Sequence, residues 1–220
     1  MAGNLEYTES QYKPLLAYLD NLPQASKKQI KLLEIGAGSR ILKKFLPANI
    51  IYHSLDYTGE QTYLFNLDCG RFPINDKSYD IIVCLETLEH TMYPKKVLKE
   101  INRIARCNCV FFLSMPNEYN LYLRFLYLLG KKNWAEEKEP FRVVENHHHI
   151  QKPRVKDILG LFKEYFEIEE ISYFWYSNLA KKKNYLRFID NLFQSLAKVM
   201  PSLFTRLVVI RARKLEKEEI

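Results

Sequence analysis

The sequence predicts an α/β fold built on a doubly wound, mainly parallel sheet. Three observations predict it. The candidate strands are short, continuous apolar runs rather than alternating ones, as strands covered on both faces require. Strand and helix alternate, most clearly where "YDIIVCLE" is followed by a helix opened by Pro94 and then by "CVFFLSMPN". Several of the strands also end in an acid, at the edge where open α/β sheets bind ligands. The chain has 220 residues, 47% of them hydrophobic, which suits a single domain with room for insertions.

The elements follow in order. Ser10 to Asn21 reads as an amphipathic helix carrying Leu15, Leu16, Tyr18 and Leu19 on one side. Ile30 to Ile35 is a buried strand, with Glu34 just inside its end, and "GAG" follows it. "NIIYHSLDY" is a second strand ending at Asp56, and "TYLFNLD" a third ending at Asp68. "YDIIVCLE" is the fourth, ending at Glu86. Pro94 suits a first helical turn, and Val97, Leu98, Ile101, Ile104 and Ala105 keep helical spacing after it. "CVFFLSMPN" is the fifth strand, "FEIEEISYFW" the sixth and "LFTRLVVIRARK" the seventh, with a helix over Lys156 to Tyr165 before the sixth. Two segments depart from the alternation, about 117–150 and about 176–200. The first holds the apolar helix "EYNLYLRFLYLLG" and a loop ending in "NHHHIQ"; the second holds a helix striped with Tyr185, Leu186, Ile189, Leu192, Phe193, Leu196 and Met200. Both read as helical cap insertions. They either pack as a cap or form an apolar acceptor groove that touches a membrane surface, and Lys181 to Lys183 beside the stripe suits anionic lipid.

The formal net charge is +7, which suits an anionic partner or simply a basic surface. No RNA-binding module is recognisable, so no nucleic-acid partner is expected. The four cysteines form no CxxC pair and read as free thiols, not as a disulfide framework or zinc site. The polar start lacks the order of a signal peptide, and no run approaches the roughly 20 apolar residues of a membrane span. A cytoplasmic protein is expected.

The chemistry gathers at the strand ends. Gly36 and Gly38 let the backbone turn tightly and approach a ligand. Asp56, eighteen residues after Gly38 and at the end of the next strand, stands where an acid accepts hydrogen bonds from a ribose. A nicotinamide dehydrogenase shares this first half, but its third glycine would fall at Ile41. Asp68 and Cys69 suit an adenine edge instead. Among the histidines, His53 reads as a strand residue. His90 either fixes its loop or acts in catalysis. Three consecutive histidines, His147 to His149, would rarely share one ion, because neighbours in an extended chain point apart. No metal is assigned. One of His148 and His149 is expected to face the acceptor, where a histidine can take a proton near neutral pH.

"LLEIGAGSR", "SLDY", "NLDCGRFPINDKSYDIIVCLETLEH" and "VLKEINRIARCNCVFFLSMPN" together resemble class I S-adenosylmethionine-dependent methyltransferases of the broad type 11 family. "SMPN", an apolar helix and "NHHH" are similar to its MetW and surface-glycan-cluster branches. The resemblance covers roughly Ile30 to Asn117. It implies a Rossmann-like seven-stranded sheet with the last strand antiparallel, and S-adenosylmethionine as cofactor. It also implies that Glu34, Gly36, Ala37 and Gly38 line the methionine moiety, that Asp56 binds the ribose and that Tyr57 lies beside the adenine. Asp68 and Cys69 would read the adenine edge, with Leu85 and Glu86 near the sulfonium. Arg40 stands where many relatives carry a further glycine. The expected activity is methyl transfer to a small-molecule or glycan acceptor, lipid-linked glycans included, with His90, His148 and His149 as the catalytic candidates. The alternatives are a non-catalytic cofactor-binding subunit and an RNA methyltransferase.

Overall fold

The computed structural model describes residues 2–22, 29–130, 149–175 and 187–215. Seven strands among them form one sheet in the order β3-β2-β1-β4-β5-β7-β6. They are β1 (Ile30–Ile35), β2 (Ile50–Asp56), β3 (Tyr63–Leu64), β4 (Tyr79–Cys84), β5 (Ala105–Pro116), β6 (Phe166–Phe174) and β7 (Leu207–Lys214). The first five pair in parallel. β7 runs antiparallel to both β5 and β6, so the expected antiparallel last strand is present.

Alternate residues of each strand serve opposite layers, which is why the strands read as continuous apolar runs. Leu33, Ile35, Ile82, Cys84, Phe111 and Leu113 face one core. There they join Val97, Leu98 and Ile101 of helix α2 (Pro94–Ile104) and Ile158 and Phe162 of α4 (Val155–Lys163). Leu32, Ile81, Val83, Val110 and Phe112 face the other core, with Tyr12, Leu15 and Leu19 of α1 (Ala2–Asp20). Each fully buried Leu, Ile or Phe contributes roughly 1.5–3 kcal/mol.

Some boundaries move. α1 begins at Ala2, ahead of the expected Ser10. β3 stops at Leu64, short of Asp68, because the Asn66 side chain accepts the Asp68 N–H at 2.9 Å and starts a 3-10 turn over Leu67–Cys69. β5 begins at Ala105, directly after α2. The short helix after the glycine loop is a 3-10 turn, Ile41–Phe45, and Arg40 before it is left-handed at φ 56° and pairs with Glu60 at 3.3 Å.

The cap segments are partly described. α3 (Leu121–Leu128) is anchored at its first turn, where Asn120 caps Leu123 N–H, and Arg124 donates to Ser202 Oγ at 2.9 Å. α5 (Arg187–Val199) lies against β6, and the single turn α6 (Pro201–Phe204) packs on α5 and α4. Phe193 sits between Trp175 and Phe204, at 4.8 and 5.4 Å between ring centroids. Residues 131–148, with His147 and His148, and residues 176–186, with Lys181 to Lys183, Tyr185 and Leu186, lie outside the described residues. No helix among the described residues is long and apolar enough to cross a membrane.

Candidate active site

The chain turns sharply out of β1. Gly36 and Gly38 take φ of 72° and 47°, values that side-chain-bearing residues seldom adopt. Gly36 N–H donates to Leu55 O at 2.8 Å, tying the turn to β2. A Cβ added at Gly36 would lie 2.0 Å from Thr87 Oγ1, whereas one at Gly38 would meet nothing within 4 Å. The first glycine is therefore required by packing, and the second leaves backbone open to a ligand. Asp56 ends β2 and is 9% exposed. It accepts Gly38 N–H at 2.9 Å and Thr58 N–H at 3.2 Å, so one carboxylate sets two loops.

A cavity of about 510 Å³ lies beyond these strand ends, a size that fits a cofactor. Gly36, Gly38, Asp56, Tyr57, Asp68, Glu86 and His90 are among its lining residues. Seven of the residues singled out in the sequence thus meet at one place. Asp68 arrives oriented, accepting the amides of Met92 at 3.0 Å and Tyr93 at 3.1 Å. Glu86 is held left-handed at φ 49°, its N–H on Ser114 Oγ at 2.9 Å. Such backbone persists only where its surroundings enforce it, and here it swings the chain from β4 across the cavity. Thr87 and Thr58, which also line it, were not singled out in the sequence; Thr87 lies between the chosen Glu86 and His90.

The other predicted residues are placed differently. Ala37 and Leu85 are buried beside the loop, and Cys69 is exposed at the Leu67–Cys69 turn. Glu34 is buried under the glycine loop, where Tyr12 Oη donates to it at 3.0 Å and Tyr52 Oη donates to its other oxygen. His53 pairs with Tyr79 Oη at 2.8 Å as a strand residue.

Burial pushes Glu34 up to about 7, while the two tyrosine hydrogen bonds oppose the shift. A raised carboxyl pKa in the folded state contributes stability below the unfolded value near 4.5, and that stability is lost as pH rises through about 7. The swing is roughly 3 kcal/mol. In Glu34→Gln this swing should vanish. Denaturant unfolding of wild type and variant from pH 4.5 to 8 checks it; a wild-type-minus-variant difference that stays flat refutes the assignment.

After β4, beyond the Thr87 that packs against Gly36, Glu89, His90 and His149 converge. Gln151 N–H donates to Glu89 O at 2.9 Å and Gln151 Nε2 to Thr91 O at 3.0 Å, which stitches the segment after His149 to the turn Leu88–His90. The rings of His90 and His149 lie 4.9 Å apart. His149 Nδ1 pairs with buried Glu118 at 2.5 Å. Glu89 is wholly buried, and burial, with the charge of Glu86 next, pushes its carboxyl well above the usual range. His149 therefore stands behind His90 rather than in the cavity lining.

A seven-stranded sheet with its last strand reversed, holding a glycine loop and acids at the carboxyl ends of its strands, is the class I methyltransferase architecture. The methyltransferase-domain family model matches residues 6–170, and the chain belongs to that family. Solved structures share the fold. An S-adenosylmethionine-dependent methyltransferase from Mesorhizobium loti is 14% identical, with 93% of this chain and 98% of that one covered and a TM-score of 0.55. One from Archaeoglobus fulgidus is 14% identical over 95% and 94%, with a TM-score of 0.54. The YcgJ protein of Bacillus subtilis is 13% identical over 95% and 100%, with a TM-score of 0.58. No curated protein matches the sequence. The protein is a methyltransferase, and S-adenosylmethionine is the cofactor that its family and fold imply.

Proposed function

We propose that the protein methylates a hydroxyl of a small-molecule or glycan acceptor, and that it falls in the MetW-like and surface-glycan branch of the type 11 methyltransferases. The observation that carries this reading is one cavity lined by the glycine loop, Asp56 and His90 together. The cofactor supplies a methyl group on a sulfonium; the protein supplies binding and orientation. Gly36, Ala37 and Gly38 would present backbone to the methionine moiety, with Glu34 acting on its ammonium from beneath. Asp56 would accept the ribose hydroxyls. Each carboxylate has about four acceptor sites, so the two amides that Asp56 already receives leave capacity for a ligand. Tyr57 would flank the adenine, and Asp68 and Cys69 would read its edge. Leu85 and Glu86 would border the reacting centre. Across from them, His90 would receive the acceptor's proton, with His149 fixed behind it and His148 completing the set. Orientation of acceptor and donor can contribute roughly 7–11 kcal/mol, and a positioned base 10²–10⁴-fold.

A lipid-linked acceptor is favoured by the apolar face of α3. Leu121, Tyr122 and Phe125 are exposed there, and Leu128 is 82% exposed; Phe188 of α5 is 75% exposed. Such a face suits an acyl or polyprenyl chain at a membrane surface. The test is transfer of a labelled methyl group into fractions of a cell extract, with Asp56→Ala as blank. Label in glycan, lipid-linked glycan or small-molecule fractions is expected. Label in RNA or protein overturns the acceptor class. No label, with tight binding of the demethylated cofactor, favours a non-catalytic binding subunit.

A further inference from the structure

We propose that Glu89, His90 and His149 form a binding site for a divalent transition-metal ion at the wall of the methyl-transfer cavity. One ligating atom from each of the three lies within 4.8 Å of the other two. Three ligand atoms each about 2.1 Å from a shared ion stand roughly 3.4–3.6 Å apart, so side-chain adjustments of about an ångström close the site. Glu89 supplies the independent sign that something belongs there. Its side chain has no solvent exposure, and neither carboxylate oxygen has a hydrogen-bond partner among the described residues. His90 Nε2 lies 3.9 Å from one oxygen, beyond hydrogen-bond reach. Buried carboxylates are otherwise hydrogen-bonded, paired or bound to metal.

The surroundings support the ion. Nδ1 of His149 is engaged by buried Glu118. A carboxylate behind a ligating histidine is the usual outer partner in metal centres, where it fixes tautomer and ring direction. Gln151 holds the two ligand segments together, through its main-chain N–H to Glu89 O and its side-chain Nε2 to Thr91 O. The field is acidic, because Glu86 and Glu118 act on Glu89 electrostatically, and a dication offsets that repulsion. Two imidazoles and one carboxylate suit Zn²⁺, Fe²⁺, Co²⁺ or Mn²⁺ and leave positions for further ligands, whereas Mg²⁺ and Ca²⁺ prefer oxygen sets.

His90 also lines the cavity, so the ion would stand where the acceptor enters. This consequence rests on the functional reading above. An acceptor oxygen that joined the ion would lose its proton more readily, and His90 would then act through the metal rather than as a free base. The substrate class narrows to acceptors with an oxygen able to coordinate.

The test uses Co²⁺ alone as the probe. The full chain is stripped with chelator and titrated with Co²⁺, following visible absorption and calorimetry. One equivalent is expected to bind, with affinity at least hundredfold weaker in Glu89→Gln and His149→Asn and 10–100-fold weaker in Glu118→Gln. Binding of the demethylated cofactor, measured in parallel, reports folding and tests the functional reading separately. Absence of a stoichiometric Co²⁺ site in wild type overturns the proposal, as does Co²⁺ binding unchanged in both ligand variants. Loss of cofactor binding with the Co²⁺ pattern intact leaves the metal site standing and removes the functional reading instead.

Discussion

Gly36→Val is expected to weaken binding of the demethylated cofactor at least a hundredfold in calorimetry. Two costs add at this position. The residue sits at φ 72°, where a β-branched side chain is strained by about 1–3 kcal/mol. Its Cβ would also lie 2.0 Å from Thr87 Oγ1. Thr87 is not free to yield, because its hydroxyl donates to Leu85 O at 2.9 Å and to Ile35 O at 3.3 Å. Something must shift, and both the glycine loop and the turn after β4 line the cavity. Pairing Gly36→Ala with Thr87→Ala separates the two costs in part: it removes the contacts at 2.0 and 2.6 Å, leaves the position-87 Cβ at 2.8 Å, and keeps the strain. Partial recovery relative to Gly36→Ala alone is expected. Binding within tenfold of wild type in Gly36→Val would refute the role of the turn.

Asp56→Ala is expected to weaken the same binding at least tenfold, about 1.4 kcal/mol. The carboxylate loses its ligand-facing acceptor capacity and also strands the amides of Gly38 and Thr58. Hydrogen bonds to a charged group contribute roughly 1.5–3 kcal/mol each, so loop geometry and ligand contact fall together. Asp56→Asn keeps an acceptor oxygen and should lose less. Unchanged affinity in Asp56→Ala, by calorimetry, would remove Asp56 from the cofactor site.

The sheet was legible in the sequence because strands buried on both faces leave a local mark. Leu32 to Ile35 and Ile81 to Cys84 are apolar at nearly every position, whichever layer each side chain enters. β3 was legible only in part. Its end is set by the Asn66 side chain, which captures the Asp68 amide two residues on, a choice that an apolar count does not register. At the site, the residues that close loops locally were found: Gly36, Gly38 and Asp56. Partnerships over long separations were not. Glu34 finds Tyr12 and Tyr52, which are 22 and 18 residues away. His149 meets Glu118 across 31 residues, and nothing in either local stretch announces it. Glu89 was passed over between two chosen residues, because an acid on a 3-10 turn reads as solvated surface until the packing shows it wholly buried.

The position of β7 has a consequence for how the chain is made. The last strand of the sheet is not at its edge: it lies between β5 and β6 and pairs with both. During synthesis the sheet can grow outward from β1 only as far as β5. The β5 edge, with Val110 to Met115, then waits without a partner while nearly a hundred further residues leave the ribosome. β6 has no place to dock in that interval. Open apolar edges are where chains associate wrongly, and closing this one requires contacts between residues about a hundred positions apart, a slow class of event. The final ten residues from Arg206 to the end of the described chain close a gap rather than trim a border, and a nascent chain halted before them carries two exposed strand edges where the finished sheet has a continuous ladder.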